Sequence, residues 1–127
     1  MTRTISAAIL FIALIGGPVA FAQSLTGPQK NAVRSAKVYL SMTGFSRLGL
    51  IEQLSSPFGD KYSEADATAA VDSLSIDWNE QAVRTAKVYL KMTGFSCDGL
   101  IDQLSSEFGD KYTPSQAAYG AQQAGAC

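Results

Sequence analysis

Apolar positions recur at helical spacing in six stretches of the chain, and these fall into two sets of three. In the first stretch Val33, Ala36, Tyr39 and Leu40 share a face, and the same spacing returns as Val83, Ala86, Tyr89 and Leu90. The second stretches place Leu50, Ile51 and Leu54, then Leu100, Ile101 and Leu104, on one side of a short helix. In the third, Ala67, Ala70, Val71 and Leu74 follow the i, i+3, i+4, i+7 rule. Its counterpart is thinner, with Ala117, Gly120, Ala121 and Ala124. No run alternates in the two-residue period of a strand, so the pattern predicts an all-α fold.

Start and stop signals bound these helices. Ser46 and Ser96 are N-caps, and Phe45 with Leu50, then Phe95 with Leu100, form hydrophobic staples around them. Asp77 followed by Glu80 predicts a capping box, and Pro28 suits a first helical turn. Ser63 with Asp66, and Thr113 with Pro114 and Gln116, open the third helices. Thr93-Gly94 should end a helix through a left-handed glycine, and the last helix should fray before Cys127. Gly49 and Gly99 lie inside helices, where glycine costs about 1 kcal/mol against alanine. Their presence in both copies points to close backbone packing.

The two sets are copies of one unit. Residues 32–62 align with 82–112 without a gap, and 25 of the 31 positions are identical. The expected organisation is a leader over residues 1–22, a three-helix, helix-turn-helix-like module over 23–75 and a second over 76–127. Each module is near the lower size limit for an independent core, and the linker is short, so the modules should touch. Ile76 and Trp78 sit at this junction, where Trp78 either packs between the modules or belongs to the core of the second copy.

The repeated unit runs A-x-R-x-A-x-x-Y-L, then Phe-Ser, then G-L-I-x-Q-L-S-S and F-G-D-x-Y. It occupies Ala32 to Leu40, Phe45-Ser46, Gly49 to Ser56 and Phe58 to Tyr62, and again Ala82 to Leu90, Phe95-Ser96, Gly99 to Ser106 and Phe108 to Tyr112. This unit resembles the repeat of the host cell surface-exposed lipoprotein (Ltp) family, over roughly residues 26–123. The resemblance implies tandem helical modules displayed outside the membrane. It also implies superinfection exclusion for some members, in which a new phage adsorbs but its DNA is stopped outside. The implied target is the incoming injection machinery, notably the tape measure protein.

The six positions that differ between copies are Ser35/Thr85, Ser41/Lys91, Arg47/Cys97, Leu48/Asp98, Glu52/Asp102 and Pro57/Glu107. Copy two gains Asp98 and Glu107 and loses a basic residue at Cys97. Asp98 and Asp102 share a helix face, and Glu107 and Asp110 follow. Given a protein partner, these four acids could dock a basic helical segment and speed encounter; otherwise they are a solubilising face.

The N-terminus has the layout of a secretory signal peptide. Arg3 precedes an apolar run over residues 5–15, Gly16-Gly17-Pro18 breaks it, and Ala20-Phe21-Ala22 is a small-x-small cleavage pattern. An uncleaved segment would be the chain's one means of membrane contact. Ala20-Phe21-Ala22-Gln23-Ser24 contains no cysteine, so the lipid attachment usual in the resembled family lacks its residue here. The protein would then be free in the envelope space, held by partners, or anchored by that apolar segment. Outside the cytoplasm Cys97 and Cys127 can pair, closing a loop of about 30 residues worth about 3 kcal/mol, or stand as two separate thiols.

The remaining chemistry narrows the function classes. With 46% apolar and 17% charged residues the chain is a folding one, and a net charge of −1 offers nothing to neutralise phosphates, against a nucleic-acid partner. There is no histidine, no CxxC motif and no calcium-loop spacing, so no catalytic residue, metal site or cofactor is expected. Exclusion by binding is the leading expectation, and a structural or cell-wall-binding role in the envelope is the alternative.

Overall fold

The computed structural model describes residues 24–127 and contains six helices, with no strand among the described residues. They are α1 (Gly27–Met42), α2 (Arg47–Ser55), α3 (Glu64–Ser73), α4 (Trp78–Met92), α5 (Cys97–Ser105) and α6 (Pro114–Ala124). The leader expected over residues 1–22 lies outside the described residues. No described helix is long and apolar enough to cross a membrane.

Each module is a three-helix unit in which the third helix packs on both the first and the second. In the first, Ala36, Leu50, Ile51, Leu54, Ala67 and Val71 are buried together, with Tyr39, Leu40 and Phe45 against them. In the second, Ala86, Leu100 and Leu104 are buried with Ala82, Tyr112, Ala117 and Ala121, and Tyr89, Leu90, Phe95 and Ile101 pack around them. Each fully buried leucine contributes about 2 kcal/mol of transfer free energy. The aromatic pairs are edge-on in both copies: Tyr39–Phe45 centroids are 5.9 Å apart and Tyr89–Phe95 centroids 5.6 Å.

Two core residues stand out against the sequence pattern. Tyr112 is buried and its hydroxyl bonds Thr85 Oγ1 at 2.7 Å, while Tyr62 makes the looser counterpart to Ser35 at 3.3 Å. Trp78 opens α4 of the second module, yet it packs with Ile76 and Leu74 against the core of the first. The junction tryptophan therefore joins the modules instead of filling the core of its own copy.

The helix ends follow the caps, with four departures. Ser46, Ser63, Asp77, Ser96 and Thr113 all accept a backbone N–H three residues on. Asp77 does so alone, because Glu80 does not reach back; full capping boxes form instead at Thr26–Gln29 and Thr113–Gln116. α1 and α4 end in extended Thr43 and Thr93, not in a left-handed glycine, since Gly125 is the one glycine with positive φ among the described residues. Gly125 at φ 94°, with Ala126 N–H donating to the Ala121 carbonyl, stops α6 in a defined cap where fraying was expected. Gly49 and Gly99 are held by their own caps: a Cβ would sit 2.9 Å and 2.8 Å from Ser46 and Ser96 Oγ. At Gly49 the backbone carbonyl of Asp110 in the second module also comes within 3.5 Å, so a close backbone approach is present there, whereas at Gly99 the crowding is local to its own helix start.

Candidate functional site

The modules meet along one seam. The turn after α1 brings Gly44 so close to α4 that a Cβ there would lie 2.5 Å from Thr85 Oγ1 and 2.6 Å from the Gln81 carbonyl oxygen. The twin glycine, Gly94, has nothing within 4 Å. Arg84 Nη1 donates to the Leu40 carbonyl at 2.8 Å, satisfying a backbone group at the end of α1. Buried Ser46 donates to the Asp110 carbonyl, and Lys111 forms an ion pair with Glu52. Sequence identity between the copies conceals this asymmetry, because equal residues acquire different neighbours.

Beside the seam lies a cleft of about 860 Å³. Phe45, Ser46, Glu52 and Gln53 wall it from the first module, and Val88, Tyr89, Met92 and residues 107–111 from the second. Its charged lining is three carboxylates, Glu52, Glu107 and Asp110, against Lys111. Asp110 Oδ2 is buried without a hydrogen-bond partner, and burial pushes its pKa up; the nearby Tyr89 hydroxyl and Gln103 amide only partly offset this. Burial, together with this carboxyl, also raises Tyr89. Asp60, the twin of Asp110, is exposed, so the second module alone buries this carboxyl.

The four acids singled out from the sequence divide between α5 and the cleft. Asp98 and Asp102 are exposed on α5 and take no part in the cleft lining, whereas Glu107 and Asp110 line it. Of the positions that differ between copies, five are at least partly exposed in both, but Thr85 is buried beneath Gly44 at the seam. That Ser35-to-Thr85 change was the sequence signal for the junction. Cys97 and Cys127 are joined by a disulfide with Cα atoms 4.7 Å apart. At the equivalent of Cys97, Arg47 makes a two-pronged ion pair with Asp72 at 2.8 Å per contact, which lowers the Asp72 pKa. Among the described residues no three His, Cys, Asp or Glu side chains cluster as a metal site would need.

The fold and cleft define a tandem pair of three-helix modules with a part-apolar, part-acidic cleft beside their seam. Residues 28–74 and 77–123 each match the family model described as host cell surface-exposed lipoprotein, and the chain belongs to that family. Among solved structures it is similar to that of Ltp, a superinfection exclusion protein from the Streptococcus thermophilus temperate phage TP-J34. The two share 36% identity with a TM-score of 0.69, over 78% of this chain and 97% of that one. Among curated proteins no match was found.

Proposed function

We propose that this protein excludes superinfecting phage by binding, at the cell envelope, a protein of the incoming injection machinery. The observation that carries the reading is the likeness to Ltp, which extends over nearly all of that superinfection exclusion protein at 36% identity. The family description, a surface-exposed protein of the host cell, and the leader-like residues 1–22 support action outside the cytoplasm. The tape measure protein is the proposed target. A protein that held this part of the injection machinery would stop DNA after adsorption. Binding falls to the acidic residues of the second module: Asp98 and Asp102 speed encounter from their open face, and Glu107 and Asp110 act in the cleft.

The test is phage DNA uptake, with adsorption measured in parallel, in cells making the full chain or the same chain without residues 1–22. Normal adsorption with DNA held outside only by the full chain is the expected result. Equal DNA uptake in all cells across a broad phage panel would remove the exclusion reading and favour a structural role in the envelope.

A further inference from the structure

The two modules display the same apolar trio. Val88, Met92 and Phe108 are the counterparts of Val38, Met42 and Phe58, and all six are exposed: the methionines at 75% and 74% and the phenylalanines at 100% and 99% match, while Val88, at 45% against 59%, is the more covered valine. Their surroundings differ. The trio of the second module lines the inter-module cleft, because the turn after α1 and helix α2 stand opposite; the trio of the first lines no part of it. Lys111 is already engaged by Glu52, and among the described residues neither Glu107 nor Asp110 has a cation within 4 Å. Pro57 occupies the position of Glu107 in the first copy, so the carboxylate beside Phe108 is also peculiar to the second.

We infer that the cleft is a seat for one basic amphipathic helix, built by the tandem arrangement and present once per molecule. Val88 and Met92 are four residues apart on α4 and form a ridge that a second helix can straddle. A small molecule filling the cavity would leave Phe108 bare at the rim, whereas a helix of several turns covers it and Met92 together. Lysines or arginines on the flank of that helix meet Glu107 and Asp110. A second copy of this chain is a poor occupant, because its own net charge is negative. The partner's origin rests on the binding reading above, but the seat itself is tested without phage.

The experiment is fluorescence anisotropy of the purified protein with a synthetic Lys/Leu amphipathic helix of about 18 residues, long enough to be helical. A Glu/Leu peptide of the same design is the comparison. The intact protein should prefer the Lys/Leu peptide. Met92→Asp and Phe108→Asp should each weaken binding about tenfold or more, as a central anchor does. The twin changes Met42→Asp and Phe58→Asp should stay within about twofold, as distant sites do. Glu107→Lys, at an exposed position, should shift the preference toward the Glu/Leu peptide and carries the test should either apolar variant lose its helical circular dichroism. No binding, no preference by charge, or equal loss in the twin variants overturns the inference. Peptide binding that persists while phage DNA enters freely removes the exclusion reading and leaves the seat; exclusion that survives loss of peptide binding in Phe108→Asp removes the seat from it.

Discussion

Asp110 shows how much one residue's chemistry depends on its neighbours. The identical loop of the first module leaves Asp60 in solvent, yet the seam buries one Asp110 oxygen without a partner. Its pKa is raised in the folded protein, so the folded state binds the proton more tightly than the unfolded chain does. The burial penalty is therefore full at neutral pH and shrinks as pH falls through the folded-state value toward the ordinary carboxylate range. Asp110→Asn should raise stability at neutral pH by about 1 kcal/mol and make urea midpoints less dependent on pH across the mildly acidic range. A variant less stable at neutral pH would show that the carboxylate finds compensation across the cleft. Nothing in the F-G-D-K-Y pattern announces this, because both copies carry it, and Ser46 and Gly49, which approach the Asp110 backbone carbonyl, lie in the other copy. Leu50, Leu54, Leu100 and Leu104 were legible for the opposite reason: helical period alone decides their burial.

At the level of helices, the copies solve one problem by two means. The start of the second helix must be held near the end of the third. Arg47 and Asp72 do this electrostatically in the first module; Cys97 and Cys127 do it covalently in the second, just past α6. The ion pair is two-fifths to one-half exposed, so it is worth about 0.5 kcal/mol after solvent screening. Because the Asp72 pKa is lowered, that contribution holds above the ordinary carboxylate pKa and disappears as pH falls through the lowered one. The disulfide closes a 30-residue loop, for which about 3 kcal/mol is expected. It also secures a helix whose fully buried residues are all small, Ala117, Gly120 and Ala121. Cys97→Ser should speed hydrogen exchange across α6 far more than Asp72→Ala speeds it across α3. Equal effects would mean that α6 is held by its packing on α4 alone. The N-caps of these helices were visible in the sequence because each lies within one turn; the Arg47–Asp72 pair was not, since 25 residues separate its members.

Across the whole molecule, the relation between the modules rests on a few close contacts. At Gly44 the turn after α1 comes so near α4 that no side chain fits in its place. Gly44→Val should push the turn off α4 and break the seam, while each three-helix unit keeps its helices. The expected outcome is unchanged helical circular dichroism with a larger radius of gyration by X-ray scattering. Gly94→Val, at the open twin, should change neither. Equal behaviour of the two variants would mean that Trp78 and Arg84 suffice to hold the modules. The seam was the least legible part of the sequence, for Gly44 and Gly94 sit in identical contexts and only Thr85 in place of Ser35 marks the difference.

That contact joins the turn after the first helix of one copy to the first helix of the next, and therefore has a direction. A head-to-tail joint does not close on itself, unlike the self-complementary face of a two-fold dimer. The Gly94 turn stands open as the next unused socket. A gene that duplicated its unit once more would need to invent no new interface: each added copy would bring the plug for the socket before it, and every new joint would carry its own cleft.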